Sequence, residues 1–329
     1  MSVYYHLSKY ISHRRAGEAY IRCLRRAGIP LAASPGEAEV AVIHDDPLNY
    51  PMILEGWGAR PKRVIAYAVW EAERLPGAYV GPLGLVDEIW TCSEFSQAAF
   101  AGEFERVAVL PHVVERGEPS AGELAAMRER IGWREGVFYF YAITDSVNPR
   151  KNLAGLLRTF KRTFMKSEDV RLVVKQYREP LDLQTIPGVV DVSEELSDGM
   201  MAALHETCDC LASMHHCEAW GLGLSEAMAH GNPVAATGFS GNMAFMDEKN
   251  SYPTRYRVVP VSEEMRRLIP LYEAGMHWAE PDEGHFAYVM RRAASGRDPG
   301  LGMEASKITK RFGEEAVTRR LVSLLAGAF

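Results

Sequence analysis

Short apolar runs alternate with helical periodicity along almost the whole chain. Residues 40–44, 64–69, 88–92 and 107–111 are dense in Val, Ile, Tyr and Trp and read as strands. Residues 15–27, 50–56 and 95–102 read as helices between them, and Ser93 is placed to cap the last. This rhythm predicts βαβ units, and so a parallel sheet with helices on both faces. Residues 112–122 interrupt it with polar positions, Gly and Pro, and read as a linker. It then resumes with strands at 137–143, 170–175, 189–192, 209–213, 233–236 and 257–261, and helices at 152–165, 198–205 and 224–229. The pattern predicts an α/β protein of two doubly wound, Rossmann-like units, residues 1–115 and 116–309, with ligands at the carboxyl ends of the strands. A last helix, 316–325, carries Val317, Leu321, Leu324 and Leu325 on one face, and residues 310–329 are assigned to the first unit.

Composition adds exclusions. A chain of 329 residues with 47% hydrophobic positions, 24% charged positions and net charge −6 has enough apolar surface for two cores, and is not a general nucleic-acid binder. No apolar run approaches the ~20 residues of a spanning helix, and the start does not read as a signal peptide, so a cytoplasmic location is expected. Five cysteines fit reduced thiols. Zinc is not expected, because Cys208-Asp-Cys210 departs from the usual knuckle spacing. Residues 1–28 carry Lys9, Arg14, Arg15, Arg22, Arg25 and Arg26 against Glu18, a local charge of +5. That helix suits either peripheral contact with an anionic membrane face or simple solvation.

The candidate chemistry is concentrated in residues 213–237. Glu218 and Glu226 lie eight residues apart, and Gly221, Leu222, Gly223 and Leu224 between them open a helix. Unpaired amides and the dipole at such a start favour an anion. The reading places Glu226 on the first turn. A dinucleotide fingerprint would need a third glycine at 226, where Glu226 stands. The plain alternative is that both glutamates are solvated.

Glu218-Ala-Trp-Gly-Leu-Gly-Leu-Ser-Glu226-Ala-Met-Ala-His-Gly-Asn-Pro-Val-Ala-Ala-Thr237 resembles the E-x7-E signature of retaining family-4 glycosyltransferases of the GT-B fold. Gly238-Phe-Ser240-Gly-Asn242 matches the loop that follows it. Asp145-Ser-Val-Asn-Pro-Arg150-Lys151-Asn152 is similar to the S-x-x-x-R-K-N segment that opens the donor domain. Trp70-Glu71-Ala-Glu-Arg-Leu-Pro76 and Val86-Asp-Glu-Ile-Trp-Thr-Cys-Ser-Glu-Phe95 are similar to runs of some bacterial members. The matches span about residues 64–260. The resemblance implies two Rossmann-like domains facing a central cleft. It also implies a metal-independent hexosyltransferase with no cofactor beyond its nucleoside-diphosphate-sugar donor, in surface-polysaccharide or glycoconjugate synthesis.

By that resemblance Glu226 contacts the donor ribose, Glu218 the transferred sugar, and the amides of Gly221–Leu224 the diphosphate. Arg150 and Lys151 neutralise the phosphates in place of a metal. Lys175, Ser240 and Asn242 join the donor site. On the acceptor side His44, Asp45, Trp70 and Glu71 are candidates, though Asp45 and Asp46 equally suit a cap. Three departures stand out. Ser146 occupies a usual arginine position, and Tyr67, Trp70 and Glu71 stand where many members have a histidine. The acceptor loop is reduced to residues 12–17. With no securely placed nucleophile, front-face displacement is the expected route to retention. The acceptor is expected to be a glycan, a lipid-linked sugar or a small molecule. A catalytically silent nucleotide-sugar binding protein is the alternative.

Overall fold

The computed structural model describes residues 1–296, 298 and 300–327. The chain divides into two compact units. The first comprises Met1–Val114, Ile269–Met276 and the chain from Lys310, and the second Glu115–Leu268 and His277–Thr309.

The first unit is built on a five-stranded parallel sheet: β1 (Val3–Leu7), β2 (Val40–His44), β3 (Arg63–Tyr67), β4 (Glu88–Thr91) and β5 (Val107–Val109), in that spatial order. β1 pairs with β2 in register, Leu7 opposite His44, and Val3 also bridges Leu31 on its outer side. The chain therefore leaves β1 outward, then crosses back over it to β2. Right-handed crossovers running in opposite directions put helices on opposite faces, so the unit is doubly wound with its switch point between β1 and β2. β1 was not read as a strand from the pattern. Only Val3 is fully buried there, so no run of core-facing residues announces it.

Residues 12–17 are not a loop. They lie in the helix Ile11–Arg26, where a Cβ on Gly17 would sit 2.4 Å from Leu7 Cδ2 and 3.0 Å from His44 Nδ1. Glycine is what lets this helix pack so close to the switch point. The helix Glu314–Leu325 packs against Ile11–Arg26 with Val317, Leu321, Leu324 and Leu325 buried. Arg22 and Arg26 each reach Glu314 at 3.4 Å and Arg14 reaches Glu18 at 3.3 Å, which neutralises part of the basic face. Among the described residues no helix is long and apolar enough to cross a membrane.

The second unit carries β6 (Phe138–Asp145), β7 (Val170–Tyr177), β8 (Val189–Val192), β9 (Cys210–Ser213), β10 (Val234–Thr237) and β11 (Tyr252–Thr254). All are parallel, in the order β8-β7-β6-β9-β10-β11. Its switch point lies between β6 and β9. The expected linker ends in a helix, Ala121–Ile131, that Ser120 and Glu123 open as a reciprocal capping box. The helix Leu153–Phe164 buries Leu153, Leu156 and Phe160 against Phe140, Leu172 and Val174. Each such side chain contributes about 1.5–3 kcal/mol, which anchors the loop that precedes the helix.

Two further features depart from the pattern. The expected strand at 257–261 does not extend the parallel sheet. It is β12 (Tyr256–Pro260), paired antiparallel with β13 (His277–Pro281) and largely exposed. Between these strands, residues 269–276 pack in the first unit although they fall inside the range expected for the second. Tyr272 is buried there with its ring 5.1 Å from that of Trp70, its hydroxyl donates to Glu71 at 2.8 Å, and Glu273 accepts from the Gly77 amide at 2.7 Å.

Candidate functional site

Two loops meet past the carboxyl ends of β6 and β9. The first, residues 146–152, closes in a tight turn, Pro149–Lys151, where Asn148 accepts from the Arg150 amide at 3.1 Å. Asn152 follows in the left-handed region at φ 50°, and its side chain caps the helix Leu153–Phe164 through the Gly155 amide. This local chemistry points Arg150 and Lys151 at the second loop. Arg150 donates to the Cys217 carbonyl at 2.7 Å and ion-pairs with Glu218 at 3.0 Å, and Lys151 donates to the other Glu218 oxygen. The His216 amide in turn donates to the Arg150 carbonyl at 2.8 Å.

Glu218 is thus a buried carboxylate gripped by two cations. Burial works to raise its pKa, but Arg150 and Lys151, with His215, outweigh it and hold the carboxyl well below the usual carboxylate range. Beside it, burial pushes His215 down to about 4; Glu218 opposes this, and Lys151 and Arg150 add to it. The imidazole is therefore neutral near pH 7.

The residues after β10 hold this arrangement from beneath. Ser240, at φ 74°, accepts from the Glu218 amide at 2.7 Å, and the Gly241 amide donates to the Glu218 carbonyl at 2.8 Å. A Cβ on Gly241 would lie 1.7 Å from the Ala219 carbonyl oxygen, so only glycine fits. Asn242 is fully buried, with its amide bonded to the Thr237 carbonyl at 3.0 Å and its oxygen 3.2 Å from His215 Nε2. It braces the loop from within.

Gly221, at φ 94°, makes the sharp turn into the helix Leu222–Ala229. The helix begins two residues earlier than the pattern indicated, which places Glu226 on its second turn. The Leu224 amide already bonds the Gly221 carbonyl at 3.0 Å, so the amides ahead of the intrahelical ladder are those of Leu222 and Gly223. Glu226 is half-exposed, with an oxygen 3.9 Å from His205 Nε2. Lys175 is elsewhere engaged: its ammonium donates to the Gln176 carbonyl at 2.6 Å and lies over the Tyr177 ring.

At the switch point of the first unit a buried cluster of imidazoles and phenols lies beside the Asp45–Asp46 pair. His44 is buried with Nδ1 3.0 Å from the Tyr5 hydroxyl, and Tyr20 and Tyr67 bond one another at 2.5 Å. His112 Nδ1 lies 3.2 Å from the Tyr20 hydroxyl. Asp45 accepts from the Asp46 amide and from Asn49, and Asp46 accepts from the Leu48 amide, so this acid pair caps a turn. Trp70 is buried and donates to the Arg74 carbonyl at 2.6 Å. His13 belongs to the 12–17 stretch expected as the reduced acceptor loop. It enters the helix after β1, with its ring 5.6 Å from that of His44 and Nδ1 buried without a hydrogen-bond partner. Among the described residues no group of three or more His, Cys, Asp or Glu side chains is arranged to hold a metal ion.

The sequence matches no family model and no curated protein. Solved structures do match in fold. HepE from Anabaena, solved with UDP and glucose, is 13% identical with a TM-score of 0.66, over 98% of this chain and 98% of that one. A glycosyltransferase from Rickettsia africae is 11% identical with a TM-score of 0.66, over 98% and 97%. The sucrose-phosphate synthase of Thermosynechococcus elongatus is 12% identical with a TM-score of 0.65, over 94% of this chain and 76% of that one. The fold is GT-B. Both GT-B sheets here are wholly parallel, and the Glu218 cluster sits at the switch point of the second.

Proposed function

We propose that this chain is a retaining glycosyltransferase that moves a hexose-type sugar from a nucleoside diphosphate to a glycan or lipid-linked acceptor. The observation that carries the reading is Glu218, buried and bound to Arg150 and Lys151, beside the helix start at Gly221. Two cations held against one carboxylate by fixed loops are preorganised for a diphosphate leaving group. Such electrostatic stabilisation takes the part a divalent ion plays in other phosphate-leaving enzymes. The amides of Leu222 and Gly223 serve the diphosphate, Glu226 the ribose hydroxyls and Glu218 those of the transferred sugar. Both Glu218 oxygens are engaged and its basicity is low, which makes it a poor nucleophile. That supports front-face displacement, with the departing phosphate taking the acceptor proton.

The acceptor is assigned to the first unit, near His13 and His44. HepE was solved with UDP and glucose, and a pneumococcal O-GlcNAc transferase with UDP and GlcNAc, so UDP is the first nucleotide to test. Calorimetry and thermal shift with UDP, GDP and ADP are expected to show one diphosphate binding and stabilising the protein by mass action. Donor breakdown should then depend on an acceptor extract. Absence of binding by all three and by their sugar esters would overturn the reading. Binding without acceptor-dependent nucleotide release would leave a nucleotide-sugar binding protein.

A further inference from the structure

His205 lies on the helix Asp198–Thr207, in no motif, and is buried. Its Nδ1 is 2.7 Å from the Tyr141 hydroxyl, whereas its Nε2 is buried with no hydrogen-bond partner. An unpartnered buried polar atom calls for a reason, and the surrounding bonds supply one. Asn232 Nδ2 donates to the His205 carbonyl at 2.6 Å and to the Tyr141 oxygen at 3.0 Å. A carbonyl can only accept, which fixes the amide with its nitrogen on this side. Tyr141 thus receives one proton from Asn232 and gives its own to His205 Nδ1. The ring is pushed down to about 3, by burial first and then by His230, so it carries a single proton. That proton sits on Nε2. It faces Glu226, whose carboxylate oxygen is 3.9 Å away. His230 stacks on the opposite ring at 5.0 Å and is itself tied to Glu206 at 2.9 Å, so the imidazole is held in its plane.

We infer that His205 is a positioning residue for Glu226, its Nε2–H closing onto one carboxylate oxygen when a ribose diol occupies the other lone pairs. This rests on the donor-site reading above. A carboxylate that accepts one fixed N–H has its plane set, and the remaining lone pairs then match two vicinal hydroxyls rather than one. The chemistry selected is a ribonucleoside diphosphate over its deoxy counterparts.

The test measures affinities of the full chain for UDP (or GDP or ADP, whichever binds best) and for its 2′,3′-dideoxy form. The wild type is expected to favour the ribo form by about 10–100-fold, as for hydrogen bonds to a charged group. His205→Phe keeps a ring to stack on His230 and removes the donor. It is expected to weaken ribo binding about tenfold and leave dideoxy binding unchanged, whereas His205→Gln, which retains an N–H, recovers part of the ratio. A merely structural role would weaken both ligands equally, and a ratio left unchanged by His205→Phe overturns the inference. Should His205→Phe not fold, the ¹⁵N shifts of His205 in the wild type decide: an Nε2–H tautomer supports the proposal and an Nδ1–H tautomer overturns it. No binding of any nucleoside diphosphate by the wild type overturns the donor-site reading and this inference with it. Binding with an unchanged ratio in the variant overturns the inference alone.

Discussion

The two switch points of this molecule share a topology and differ in chemistry. In the second unit, past β6 and β9, a buried carboxylate meets an arginine and a lysine, and all three carry charge. In the first, past β1 and β2, imidazoles and phenols meet in a buried cluster that is kept neutral. Burial, then His13 and His112, hold His44 well below the ordinary histidine range, and burial and His13 push His112 down to about 3. The same winding thus builds a charged cradle suited to an anion and a neutral lining suited to hydroxyls. Topology sets where a ligand can sit, and side chains a few positions past each strand set what kind it is.

The largest effect expected comes from removing half of the charged cradle. Lys151→Met leaves Glu218 buried with Arg150 alone. Breaking a buried pair costs about 3–5 kcal/mol, with no comparable loss of stability from His13→Phe, and donor turnover of the Lys151 variant should fall at least ~100-fold. Urea unfolding and nucleotide-release assays check both. Equal losses in the two variants would erase the contrast between the sites.

A smaller effect should separate the units by pH. A histidine kept neutral by burial contributes stability that is whole above its unfolded pKa near 6.5 and is lost as pH falls toward its folded value. For His112 that window runs from about pH 6.5 down to about 3. Glu218 has a depressed pKa, so its contribution is complete above the unfolded carboxyl value near 4.3 and declines only below it. Each buried neutral histidine should therefore account for a slope of about 1.4 kcal/mol per pH unit. His112→Phe should reduce the slope of unfolding free energy between pH 6 and 5 by that increment, while Glu218→Gln leaves it unaltered there. A slope that His112→Phe does not change would break this assignment.

The smallest effect concerns the returning segment. Tyr272→Phe removes the donor to Glu71 and should cost about 1 kcal/mol in thermal unfolding. It should not change nucleotide affinity, because residues 269–276 pack in the first unit. A loss of affinity with unaltered stability would show that the segment serves the donor instead.

The sequence by itself determined the two parallel α/β units and the stretch from Glu218 to Asn242. It also placed the Arg150-Lys151 turn ahead of its helix. These were legible because their determinants are local: alternating apolar runs, a glycine at φ 94° and an asparagine cap. Tertiary structure alone decided the rest. β1 is a strand because β2 and Leu31 flank it, not because its own residues are strongly core-facing. β12 finds its partner in β13 seventeen positions on, and the chain between them packs in the other unit. Asn242 gained its tie to the loop only when the fold brought His215 and the Thr237 carbonyl to its amide. His205 acquired a direction only when Tyr141 and Asn232, distant in sequence, fixed which nitrogen holds its proton. Periodicity encodes which face of an element is buried; it does not encode which distant group completes a hydrogen bond, and the roles of this second set of residues depend on that.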